Sequence, residues 1–70
     1  MGLAPLCHVF AQATLGGEVI TTVDIDLPHS DFVTFSILGL TLTVPCPTVG
    51  LQIVLPGGIV ITVDVTEVQP

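Results

Sequence analysis

The sequence predicts an all-β protein of about six short antiparallel strands, arranged as a small, jelly-roll-like β-sandwich or as a partly open barrel. Composition is the first observation: Val, Ile, Leu and Thr dominate the 70 residues, Phe occurs three times, and Trp and Tyr are absent. Such β-branched side chains fit a pleated, half-buried surface. The second observation is a turn signal about every ten residues. The third is that no stretch shows a convincing helical period.

The clearest strand begins at residue 59, after a Pro-Gly-Gly turn signal. Apolar residues occupy every second position, which is the pattern of a strand with one buried face. The side chains expected on that face are Ile59, Ile61, Val63 and Val65. A weaker copy covers residues 16–26, with one additional residue where Thr21-Thr22 stands in place of Thr62. An inserted residue indicates a β-bulge, although short matches also arise by chance in so biased a composition.

The remaining segments alternate in the same way between turns rich in Gly and Pro. The predicted strands cover residues 6–15, 18–26, 32–38, 40–44, 48–55 and 59–66. The first strand, for which a short helix at residues 10–13 is the alternative, has Cys7, Val9, Ala11 and Ala13 on one side. The fifth should bury Val49 with Leu51, Ile53 and Leu55. Residues 32–38 are apolar on both sides, so both sides should be covered. We expect two three-stranded sheets and a frayed tail after residue 66.

Charge excludes several classes of function. The chain has no Lys and no Arg against six acidic residues, a formal net charge of −6. Nucleic acid is therefore not a partner, because neutralising phosphates requires cationic side chains. A membrane is not expected either, since the apolar run at residues 32–44 is too short to span as a helix. Neither Trp and Tyr girdles nor basic anchors are present.

Two cysteines, Cys7 and Cys46, are candidates for a disulfide. A bridge within the chain would close a loop of about forty residues and contribute about 4 kcal/mol by restricting the unfolded chain. A bridge between chains and a pair of buried free thiols are the alternatives. A zinc site is not predicted, because Cys7, Cys46, His8 and His29 lack the paired close spacings of such sites.

Other sites are weakly indicated at most. Asp24, Asp26 and Asp31 are weak candidates for calcium ligands, but their spacing is not that of an EF-hand and solvated carboxylates are the simpler interpretation. No Ser, Cys or His lies in the sequence frame of a nucleophile and its base. We therefore expect neither an enzyme, nor a cofactor, nor a small-molecule substrate.

These observations favour a structural protein that assembles with copies of itself into an extracellular or cell-surface filament, fibre or coat. Two small sheets leave four edges with no lysine to protect them, and residues 32–63 carry no charge, so edges should pair between subunits. Residues 1–70 form a single domain, of which residues 1–15 are expected to be donated to the neighbour's sheet, with Cys7 linked to the neighbour's Cys46. The predicted assembly contacts are Val9, Phe10, Phe32, Phe35, Ile59 and Ile61.

Two alternatives use the same features differently. A closed oligomer, such as a capsid-decorating subunit, would bury the same surfaces in a ring. A calcium-dependent binding module would instead use the three aspartates. The first six residues lack the pattern of a standard signal peptide, so an extracellular protein would leave by another route or would have been processed before residue 1.

Overall fold

A computed structural model describes residues 5–69 of the chain. This part consists of six antiparallel strands in two sheets, without a helix. The strands are β1 (Leu6–Leu15), β2 (Glu18–Pro28), β3 (Phe32–Ile37), β4 (Leu40–Pro45), β5 (Thr48–Leu55) and β6 (Ile59–Val68). The all-β prediction of about six antiparallel strands is confirmed. The more specific jelly-roll-like arrangement is not confirmed by this strand order.

The two sheets are unequal, so the expected division into three and three strands is wrong. Four strands form one sheet in the order β2-β1-β6-β5, and β3 and β4 form a two-stranded hairpin. β1 pairs along its whole length with β2 on one side and β6 on the other. The strand that begins the chain is therefore an internal strand of the larger sheet.

The core lies between the larger sheet and one face of the hairpin. The fully buried residues of the sheet come from alternate positions of its two central strands, as their sequences predict. They are Cys7, Val9, Ala11 and Ala13 of β1 and Ile61, Val63 and Val65 of β6. The hairpin contributes Val33, Phe35, Ile37 and Val44. Each large aliphatic side chain so buried stabilises the fold by about 1.5–3 kcal/mol.

The two similar segments noticed in the sequence flank β1 in matching register. Asp24 of β2 and Asp64 of β6 both lie opposite Phe10. A register shift in β2 skips Ile20 and absorbs the additional residue, so the bulge lies next to the predicted Thr21-Thr22 position. β1 thus has nearly equivalent neighbours on both sides, and the carboxylates of both emerge on the same outer face.

Three local expectations are corrected by the structure. Val49 is 83% exposed instead of buried, because the β5–β6 register shifts between Thr48 and Leu51. The tail does not fray after residue 66, because β6 continues to Val68, which pairs with Leu6. One face of β3 is open to solvent, since Phe32 is 59% exposed.

The turn of the β3–β4 hairpin places a leucine in a left-handed conformation. Leu38 and Gly39 have φ angles of 54° and 75°, as the two central residues of a type I′ turn require. Asn-Gly is the usual sequence there, because Asn tolerates positive φ better than a residue with a bulky side chain. Leu38 therefore carries a local cost of about 1 kcal/mol, and its side chain remains exposed.

Replacing Leu38 by Asn should raise the free energy of unfolding by about 1 kcal/mol, because the positive φ is then less strained. Chemical denaturation of both proteins measures the change. The matched control is Leu40→Asn, two residues further along the same hairpin and outside the set of positive-φ positions, which should bring no gain. An equal gain in both variants would show that lost apolar surface, and not the turn, is responsible.

Candidate functional site

A histidine held by two aspartates is the most polar feature of the outer face of the larger sheet. His8 lies on β1, opposite Asp26 of β2. Its Nδ1 is 2.6 Å from Asp26 Oδ1, and its Nε2 is 2.8 Å from Asp24 Oδ1. Both ring nitrogens donate hydrogen bonds only when the imidazole is protonated. The arrangement therefore suits a positively charged His8.

The electrostatic surroundings of His8 favour its charged form. The hydrogen bond to Asp26 is the largest effect and raises the pKa of the imidazole above its ordinary value of 6.5. Desolvation opposes it, and the negative charges of Asp24 and Asp26 add to the increase. On the other side of β1, Thr66 of β6 faces His8 and the nearby Asp64 accepts a hydrogen bond from the Gly50 amide at 2.8 Å. The face around His8 is thus acidic, with one titratable cation at its centre.

The structure does not bring the three predicted calcium ligands together. Asp24 and Asp26 share a strand face, as predicted, but both are engaged by His8. Asp31 lies in the connection between β2 and β3, and within residues 5–69 the three aspartates do not form a cluster of ligand atoms.

A disulfide joins Cys7 to Cys46 within the chain, with their Cα atoms 6.4 Å apart. It ties the beginning of β1 to the connection between β4 and β5, so the alternatives of free thiols and of a bridge to a neighbouring subunit do not apply to this structure. Within the single chain residues 6–15 form the internal strand β1 of their own sheet, and the donation of residues 1–15 to a neighbouring subunit stays a prediction. Residues 1–4 lie outside the described part. A disulfide fits an oxidising environment.

The same end of the sandwich contains a second histidine. The nearest ligand atoms of Cys7, His29 and Cys46 all lie within 4.8 Å of one another. His29 Nε2 is 3.1 Å from Glu67 Oε2, and Glu67 is the β6 partner of Cys7. Sequence spacing argues against any such cluster, because these residues come from four separate segments. Only the strand register, which places Leu27 and Glu67 on either side of Cys7, brings them together.

The six predicted assembly contacts fall into two groups. Val9, Phe35 and Ile61 are buried in the core of their own domain, and Ile59 packs partly against it. Phe10 and Phe32 are exposed. Of the six, only Phe10 and Phe32 are exposed enough to contact another molecule. Their part in assembly stays a prediction.

Charged side chains are confined to part of the surface. The six carboxylates belong to β2, the β2–β3 connection and β6, whereas β3, β4 and β5 carry none. β2 is an outer strand protected by its acidic residues, its bulge and its terminal Pro28. The open edges of β3, β4 and β5 have no such charge.

Comparisons of the chain with protein-family models, with curated proteins and with solved structures found no match. Across residues 5–69 no helix is long and apolar enough to cross a membrane, and no pocket opens in this part of the surface.

The pH dependence of stability should follow His8. Because the folded-state pKa of His8 is raised, its contribution to stability is fully present below the unfolded value of 6.5 and is lost as pH rises through the folded value. The free energy of unfolding of the wild-type protein should therefore fall over that interval. Denaturant titrations across the pH range measure the slope.

Two variants isolate this effect. His8→Gln should flatten the slope, because the titrating group is gone. His29→Gln should retain it, since Asp24 and Asp26 hold His8 and not His29. Equal slopes in the wild-type and His8→Gln proteins would contradict the assignment.

Removal of the disulfide should cost about 4 kcal/mol on the chain-entropy model, since the sequence separation is 39 residues. For a domain of this size that is a large fraction of the total stability. The double variant Cys7→Ser/Cys46→Ser and the reduced wild-type protein should lose similar amounts, measured by denaturation in the presence of a metal chelator. If reduction leaves the denaturation midpoint unchanged, the bridge does not stabilise the fold.

Proposed function

We propose that this protein is a non-enzymatic structural subunit that assembles with other copies of itself into an extracellular or cell-surface filament, fibre or coat. The observation that carries the proposal is the contrast between one charged edge strand and three uncharged ones. β2 carries three carboxylates, whereas β3, β4 and β5 carry none; β4 ends at Pro45 and β5 contains a register shift, so β3 has the least protected edge. Soluble monomers normally protect such edges, because an unpaired strand is a template for another chain.

The β3–β4 hairpin is the best candidate for the contact surface. Both of its strands have one neighbour only, so each presents a free row of backbone donors and acceptors. Its outer face is uncharged and carries Phe32 beside hydroxyl side chains, two of which, Thr34 and Thr43, hydrogen-bond to each other at 2.9 Å. A neighbouring strand can add to such an edge by main-chain hydrogen bonds, with the apolar side chains supplying affinity.

The strained turn supports the same conclusion. Leu38 occupies a position where Asn would stabilise the isolated domain, and its side chain is 44% exposed. Strained residues persist where the surrounding structure holds them in place, and they cluster at functional sites. A contact made by Leu38 with a neighbouring subunit would be such a reason.

An extracellular location fits the disulfide, which oxidising compartments maintain. It also fits the size of the domain, because a 70-residue sandwich has a small core and benefits from a covalent link. Repeated use of different edges on each copy gives an open polymer, whereas self-complementary use of one edge gives a closed oligomer.

The proposal predicts that the purified chain forms particles larger than a monomer, growing with concentration. Light scattering after size exclusion measures mass, and negative-stain electron microscopy distinguishes filaments from closed particles. Phe32→Ser and Leu38→Asn should each shift the distribution towards monomers, although Leu38→Asn stabilises the single domain. A chain that stays monomeric at every concentration would contradict the proposal.

Val19→Ser is the matched control, because Val19 is an exposed apolar residue on β2, the charged outer strand that the proposal does not use. It should change the distribution less than the two hairpin variants do. Equal effects of all three variants would indicate general hydrophobic association and would remove the hairpin from the proposal.

A further inference from the structure

The cluster at the disulfide end of the sandwich contains the ligand types of a transition-metal site. Thiolate and imidazole groups together select zinc and its chemical relatives, whereas calcium and magnesium prefer oxygen ligands. We propose that the protein binds a zinc-type divalent ion through Cys7, Cys46 and His29 when its disulfide is reduced. This site does not depend on the proposed assembly function.

The three residues are already close to a coordinating arrangement. Their nearest ligand atoms lie within 4.8 Å of one another. Zn–S bonds of about 2.3 Å and Zn–N bonds of about 2.0 Å at tetrahedral angles place ligand atoms about 3.5 Å apart. Side-chain rotations of modest size, after the two sulfurs separate, are therefore sufficient to form the site.

The backbone holds the three positions independently of the disulfide. Cys7 lies in β1, which is paired on both sides. The His29 amide donates a hydrogen bond to the Pro5 carbonyl at 3.3 Å, and the Cys46 amide donates one to the Asp31 carbonyl at 3.0 Å. The three side chains therefore remain neighbours when the covalent bond is broken, provided that the strands stay paired.

Glu67 has the position of an orienting group. Its Oε2 is 3.1 Å from His29 Nε2, which leaves Nδ1 as the ring nitrogen for a metal. A metal-binding histidine usually donates its other N–H to a carboxylate, which fixes the tautomer and makes the ligand more basic. Three protein ligands leave the fourth tetrahedral position to water, as in open zinc sites.

The redox step is a simple exchange. A dithiol reductant supplies two electrons and two protons; the Cys7–Cys46 bond breaks, two thiols form, and the reductant becomes a disulfide. Metal binding then releases the two thiol protons to solvent. The oxidised protein has no thiolate ligands, so the disulfide and the metal are alternative ways to link β1 to the β4–β5 connection.

The test is a titration of the full-length reduced chain with Co²⁺, in which thiolate coordination gives intense charge-transfer absorption, followed by displacement with Zn²⁺. The reduced wild-type protein should bind one ion, and the oxidised protein, which contains the same His29 and Glu67, should bind none. Zinc should also protect Cys7 and Cys46 from alkylation. If the reduced wild-type protein gives no charge-transfer band, the proposal is wrong.

Variants assign the individual ligands, with affinity measured by competition against a chelating dye. Glu67→Gln should weaken zinc binding by about 10–100-fold, as expected for a second partner of a metal-binding histidine, and His29→Ala should weaken it further. His8→Gln is the matched control and should bind like the wild-type protein. Circular dichroism of each variant in its reduced state confirms folding under the conditions of the titration. Equal affinity of His29→Ala and the wild-type protein would exclude His29 and overturn the site.

Discussion

The pairing of β1 on both of its sides is the interaction on which the rest of the structure depends. It joins the two acidic strands β2 and β6 in matching register, and its inner face supplies four of the fully buried core residues. Its outer face carries His8, whose two ring nitrogens lie against Asp24 and Asp26. Cys7 is the second residue of β1, and its disulfide to Cys46 links this strand to the connection that leads from the hairpin into β5.

Strict alternation made the buried side chains of β6 predictable, because a one-residue shift would have exchanged its apolar and polar faces. In β1 the sequence separated the two faces but did not decide which of them is buried. The same reasoning gave the wrong face for Val49, because a bulge reverses the face of a residue without changing the pattern in the sequence. The division into a four-stranded and a two-stranded sheet could not be predicted either, because alternation indicates which side of a strand is buried but not which strands pair. For the same reason His8 with its two aspartates, and the cluster of Cys7, His29 and Cys46, could not be foreseen: their members meet through register and not through spacing.

A chain without Lys or Arg has few ways to offset six carboxylates. Each of the two histidines lies against acidic side chains: His8 contacts Asp24 and Asp26, and His29 contacts Glu67. All six carboxylates lie on β2, β6 and the β2–β3 connection, so the hairpin and β5 carry no charged side chain. This separation matters for association, because like charges on approaching edges would oppose pairing within about one Debye length, roughly 8–10 Å at physiological ionic strength.

The disulfide also holds the β3–β4 hairpin, because Cys46 directly follows β4. The proposed metal site and the proposed assembly surface are therefore connected. β3 and β4 share no strand ladder with the larger sheet, so the hairpin is held by side-chain packing of Val33, Phe35, Ile37 and Val44 and by the covalent tie at Cys46, immediately after β4. Without that tie, this end of the hairpin is held by packing and by the hydrogen bond from the Cys46 amide to the Asp31 carbonyl. A metal bound by Cys7, Cys46 and His29 would restore the tie in the reduced chain, so the hairpin edges would be held in place in either redox state.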